Sequence, residues 1–119
     1  MNIKFNYLYR DGANYKNWGS TVFINPEGLS LQELDTSLRQ NFESEELFIA
    51  HQINIDELFF SKQVSLTNDD HCYHEYAGVE FTNKDATDSL QRSVYEFVKK
   101  TEVEAKNGWK AFDPISRAT

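Results

Sequence analysis

At 119 residues the chain has the commonest size of a single domain, long enough for one core and too short for two. Hydrophobic residues at 39% and aromatics at 14% supply a packed core and exclude a disordered chain. Nineteen acidic against twelve basic residues leave a formal charge of -7, which repels phosphate backbones and anionic headgroups and argues against direct nucleic-acid or membrane binding.

Ile3, Phe5, Tyr7 and Tyr9 alternate with Lys4, Asn6 and Leu8, the period of a strand with one face on a core. A turn-rich connection follows, and Gly19 to Asn25 returns as a β-branched and aromatic run, predicting a hairpin with a long, decorated loop. Asn25, Pro26, Glu27 and Gly28 break that strand. Ser30 with Glu33 three places on is a capping-box signature, and Leu31, Leu34, Leu38 and Phe42 make the apolar stripe of a first helix.

Leu47 to Phe60 reads as strand then turn. From Tyr73 onward Tyr73, Glu75, Ala77, Val79 and Phe81 alternate with His74, Tyr76, Gly78 and Glu80, predicting a strand with different chemistry on its two faces. Thr87 or Asp88 is expected to cap a second helix with Leu90, Val94, Phe97, Val98 and Thr101 buried, ended by Gly108 and followed by a short tail from about 109. The expected fold is a single α+β domain over 1–119, a two-layer sandwich with a mainly antiparallel sheet and two principal helices on one face.

Two segments carry chemistry. Asp69, Asp70, His71, Cys72, Tyr73, His74 and Glu75 crowd metal ligands and proton carriers together. On a helix, His71, His74 and Glu75 would share a face and hold a divalent transition metal, with Asp70 as the alternative carboxylate. On a strand, His71 and His74 diverge, and a loop at Asn68 to His71 would need a further ligand such as His51 or Asp56. The plainer account makes Asp69 and Asp70 a turn, leaves both imidazoles to backbone or water, and buries Cys72 as a small apolar residue. Cys72 and His74 have no third group to orient them as a hydrolase pair.

The second segment runs from Tyr9 to Trp18, where Tyr9, Arg10, Asp11, Asn14, Tyr15, Lys16 and Trp18 set cations among aromatic and amide groups. Aromatic and Arg side chains of this kind anchor protein interfaces. The alternative is a hairpin loop whose Arg10 pairs with a nearby acid and whose Tyr15 and Trp18 cover the sheet edge.

Phe5, Asn6, Tyr7, Leu8, Tyr9, Arg10 and Asp11, then Asn14, Tyr15 and Lys16, and later Asp69, Asp70, His71, His74 and Glu75 resemble a family of small bacterial hypothetical proteins without an established activity. The resemblance implies a compact stand-alone cytoplasmic protein and assigns no residue a role. A single Cys72, and an opening Met1, Asn2, Ile3, Lys4 that is not a basic-then-apolar signal, also point to a reducing cytoplasm.

The leading expectation is an acidic binding or accessory module that contacts a protein partner, with no cofactor. Its alternatives are a small metal-dependent hydrolase built on the Asp69–Glu75 cluster, which needs a divalent transition metal, and an acidic nucleic-acid mimic, which needs its carboxylates gathered on one face. The edges of a small open sheet also leave room for a homodimer.

Overall fold

The computed structural model describes residues 1–59 and 71–114. The expected features at Phe60, Asn68, Asp69 and Asp70 lie outside the described residues.

Strand β1 (Asn2–Arg10) follows its alternation, with Ile3, Phe5, Tyr7 and Tyr9 all buried. It pairs antiparallel with β2 (Lys16–Phe23), which begins at Lys16 rather than Gly19 because the connecting turn is tighter than its composition suggests. Arg10, expected in the loop, is a paired residue of β1 opposite Lys16, and Tyr9, read both as the strand's last inward residue and as the loop's first, is paired in β1 opposite Asn17.

Helix α1 (Leu31–Asn41) starts on the predicted capping box: the Ser30 hydroxyl accepts from the Glu33 N–H at 3.1 Å, and the Glu33 carboxylate accepts from the Ser30 N–H at 3.2 Å. Strand β3 (Leu47–Phe48) is only two residues long and runs into a 3₁₀ turn, Ala50–Ile53, closed by Asn54 in the left-handed conformation. Strand β4 (His74–Thr82) completes an antiparallel sheet in the order β2-β1-β4-β3.

The simple alternation expected along β4 is broken by a bulge. Tyr7 pairs with Tyr76 and Phe5 with Val79, so Tyr76 and Val79 both turn to the core, and Gly78 absorbs the extra residue at φ 105°.

Helix α2 (Val94–Asn107) caps on Ser93, not on Thr87 or Asp88: Ser93 and Glu96 form a second capping box, and Leu90 stays exposed in the preceding turn. Thr87 instead holds β2 by both backbone groups of Val22. Its hydroxyl accepts from the Val22 N–H at 2.9 Å, and its own N–H donates to the Val22 carbonyl at 2.9 Å. The buried Asp88 accepts from Arg92, whose guanidinium also donates to the Ile53 and Asn54 carbonyls and lies over the Phe23 and Phe97 rings. That pair fastens the start of α2 to the end of the 3₁₀ turn.

Both helices cover one face of the sheet around Phe5, whose ring lies 5.0 Å from Phe97, 5.5 Å from Tyr76 and 5.9 Å from Phe48. Trp109 folds back on Phe42 at the end of α1, its indole N–H donating to the Asn41 carbonyl at 3.0 Å. The opposite face presents Lys4, Asn6, Trp18, Ser20 and Glu80, with no helix over it among the described residues. No described helix is long and apolar enough to cross a membrane.

Candidate functional site

Strand alternation separates the expected metal ligands. His74 is fully buried, with its ring near those of Tyr7, Tyr9, Phe48 and Phe59. Its Nε2 accepts the Leu58 N–H at 2.8 Å. An imidazole nitrogen that accepts an N–H carries no proton and has no second lone pair for a metal. Glu75, one residue on, faces away from the core and accepts from Arg10 Nε at 2.9 Å and Nη2 at 3.3 Å.

His71 accepts the Tyr73 N–H on Nδ1 at 3.0 Å, and its carbonyl accepts from the Tyr9 hydroxyl at 2.8 Å. Asp70 lies outside the described residues. Of the ligands sought elsewhere, His51 faces Glu57 at 3.5 Å, and the Asp56 backbone carbonyl accepts from the Tyr7 hydroxyl at 2.7 Å. Among the described residues no three His, Cys, Asp or Glu side chains converge at metal-binding distance. Cys72 is buried, and its sulfur accepts the Phe112 N–H at 3.4 Å.

These contacts make His74 a clamp on the segment that crosses the sheet between Ile55 and Phe59. Tyr7 holds the segment at Asp56, and Asn17 Nδ2 donates to the Leu58 carbonyl at 2.9 Å. The Leu58 side chain lies over Gly19, where an added Cβ would come within 2.8 Å of its methyls. Gly19 is therefore the residue that lets this segment approach β2 closely.

The hairpin end is built differently. Asp11 accepts the Ala13 and Tyr15 N–H groups on its carboxylate at 2.9 and 2.8 Å, and its N–H donates to the Tyr15 carbonyl at 3.0 Å. Asn14 takes the left-handed conformation, φ 69°, that closes a three-residue hairpin loop. Arg10 also donates to the Asn14 side chain, so the same guanidinium ties the turn to β4.

Of the seven residues expected to form a binding loop, four are thus committed inside the fold. Tyr9 is in the core, Arg10 pairs with Glu75, and Asp11 and Asn14 shape the turn. Tyr15, Lys16 and Trp18 remain presented to solvent, with Tyr15 69% and Trp18 62% exposed.

Sequence reasoning missed a groove of about 600 Å³ between α1 and α2, lined in part by Leu29, Ser37, Asn41, Tyr95 and Val98. Apart from Leu29, which precedes α1, these are ordinary helix-face residues, and only the packing of the helices brings them together. Carboxylates occur on both sides of the molecule, Glu75 and Glu80 on the open sheet face and Asp35, Glu102 and Glu104 on the helices. Most of these engage a cation. No protein-family model, curated protein or solved structure matches the chain.

Proposed function

We propose that the chain is a small binding module that engages a protein partner through the end of the β1–β2 hairpin, with Tyr15 and Trp18 as anchors and Lys16 as the charged contact. The observation that carries this reading is the exposure of two large aromatic side chains on a turn held rigid by Asp11, Asn14 and the Arg10–Glu75 pair. Aromatic side chains presented on a fixed backbone lose little conformational freedom on docking, and for that reason dominate interface energetics. No catalytic group or cofactor is required.

The acidic surface favours a protein over a nucleic acid as partner. A reducing cytoplasm suits the lone buried thiol of Cys72.

The test is quantitative affinity purification with the wild-type chain and a Tyr15→Ala, Trp18→Ala double variant of unchanged circular dichroism. The reading expects at least one protein recovered stoichiometrically by the wild type and lost with the variant. Recovery of the same proteins by both would overturn it.

A further inference from the structure

We infer that the partner of this hairpin is a second copy of the chain, joined edge to edge through Lys16–Ser20 of β2; the inference rests on the reading of the hairpin as a docking element. In the β1–β2 ladder the Asp11 N–H bonds to the Tyr15 carbonyl, so the bonded pairs are the odd-numbered ones, Asn17 with Tyr9 and Gly19 with Tyr7. Lys16, Trp18, Ser20 and Val22 therefore aim their N–H and C=O groups away from β1, along the sheet edge. Thr87 takes both groups of Val22. Those of Lys16, Trp18 and Ser20 meet no described residue, so that among the described residues the edge is open over five residues with Trp18 at its centre.

That edge complements itself under a two-fold axis. An antiparallel copy centred on Trp18 sets Trp18 against Trp18 of the other copy and Lys16 against its Ser20, and each such pair exchanges both backbone bonds. The two central indoles come side by side on the open face, a favourable cross-strand aromatic pair. No like charges fall opposite each other.

The charge distribution along the edge permits the same occupant. Beside Ser20 the open face holds a hollow of about 450 Å³, lined by Lys4, Asn6, Trp18, Ser20, Ala77 and Glu80, where Asn6 donates to the Glu80 carboxylate at 3.1 Å. The Lys16 side chain of the other copy, placed opposite Ser20, comes to the rim of this hollow in the row of Ser20 and Asn6. An acidic chain that would otherwise repel its copy thus meets it along a strip whose only charged residue is a lysine.

Sedimentation equilibrium of the untagged chain tests the association, and paired cysteines test the register. The expected result is a species of twice the 13.9 kDa chain mass, weakened at least tenfold by Trp18→Lys at unchanged circular dichroism. Under mild oxidation a mixture of Lys16→Cys and Ser20→Cys chains should give a disulfide-linked heterodimer, since a bonded antiparallel pair sets Cα atoms about 5.5 Å apart, within disulfide reach. Neither variant alone should cross-link, because its own counterpart lies about 13 Å away at about 3.3 Å per residue. A monomer at the highest concentrations used for NMR, or cross-linking of Ser20→Cys alone, would overturn the inference. A monomeric chain that still loses another protein on Tyr15→Ala, Trp18→Ala substitution would overturn the self-pairing while sustaining the hairpin as a docking site.

Discussion

Replacing His74 by Phe separates a structural histidine from a metal ligand. The phenyl ring fills nearly the same space among Tyr7, Tyr9, Phe48 and Phe59, so packing is largely kept. What is lost is the acceptor for the Leu58 N–H at 2.8 Å. A buried donor left without its partner costs about 1–3 kcal/mol, partly offset by the more apolar ring, so a net loss of about 1.5 kcal/mol is expected. With an unfolding entropy of roughly 2.1 cal/mol/K per residue over 119 residues, that loss lowers Tm by about 6 °C. Thermal unfolding followed by circular dichroism, with and without a chelator, is the assay. The wild type should be insensitive to the chelator, and the variant should melt lower by the same interval in both buffers. A wild-type Tm that falls on chelation, or a variant as stable as the wild type, would refute the clamp.

Arg92→Met should destabilise the fold by about 3 kcal/mol in urea titrations at neutral pH, because it strands the buried Asp88 carboxylate and the Ile53 and Asn54 carbonyls. Burial alone would raise the Asp88 pKa, but the hydrogen bonds and charge of Arg92 outweigh it and hold the carboxyl below its usual range. The folded state then binds the proton less readily than the unfolded chain. The stabilisation is therefore present above the ordinary Asp pKa of about 4 and lost as pH falls through the lower folded value, a dependence that Arg92→Met should flatten. At the alkaline end, burial followed by the Asp56 charge pushes Tyr7 up to about 12, and burial with the Asp35 hydrogen bond raises Tyr76. Both prefer the proton in the folded state, so stability should fall as pH rises above about 10. Absorbance at phenolate wavelengths should show these two tyrosines ionising only well above the ordinary tyrosine range, and single Tyr→Phe variants assign them.

Elements whose signals are local were legible in the sequence. The alternation of Ile3, Phe5, Tyr7 and Tyr9 and the stripe of Leu34 and Leu38 report burial at the periods of a strand and a helix, and the Ser30–Glu33 box is complete within four residues. An equal box at Ser93 and Glu96 was there to be read, but Thr87 and Asp88, also good caps in isolation, stood before it. Only the contact with Val22 shows that Thr87 serves the sheet edge. Likewise Gly78 gives no sequence sign of the bulge that brings Tyr76 and Val79 to one side; the bulge is a property of the pairing with β1.

The two candidate sites divide the same way. Composition alone marked the hairpin and the histidine segment as rich in chemistry, because a list of side chains is independent of geometry. Which of them remain available is a matter of partners distant in the chain: Glu75 takes Arg10, Leu58 takes His74, and the Tyr9 hydroxyl meets the His71 carbonyl. By itself the sequence determined an acidic, aromatic-rich α+β domain with a strand, a capped helix and two chemically dense segments. The tertiary structure decided that the histidines hold the fold and that Tyr15, Lys16 and Trp18 face outward, because hydrogen bonds and burial between remote residues exist only once the chain has closed on itself.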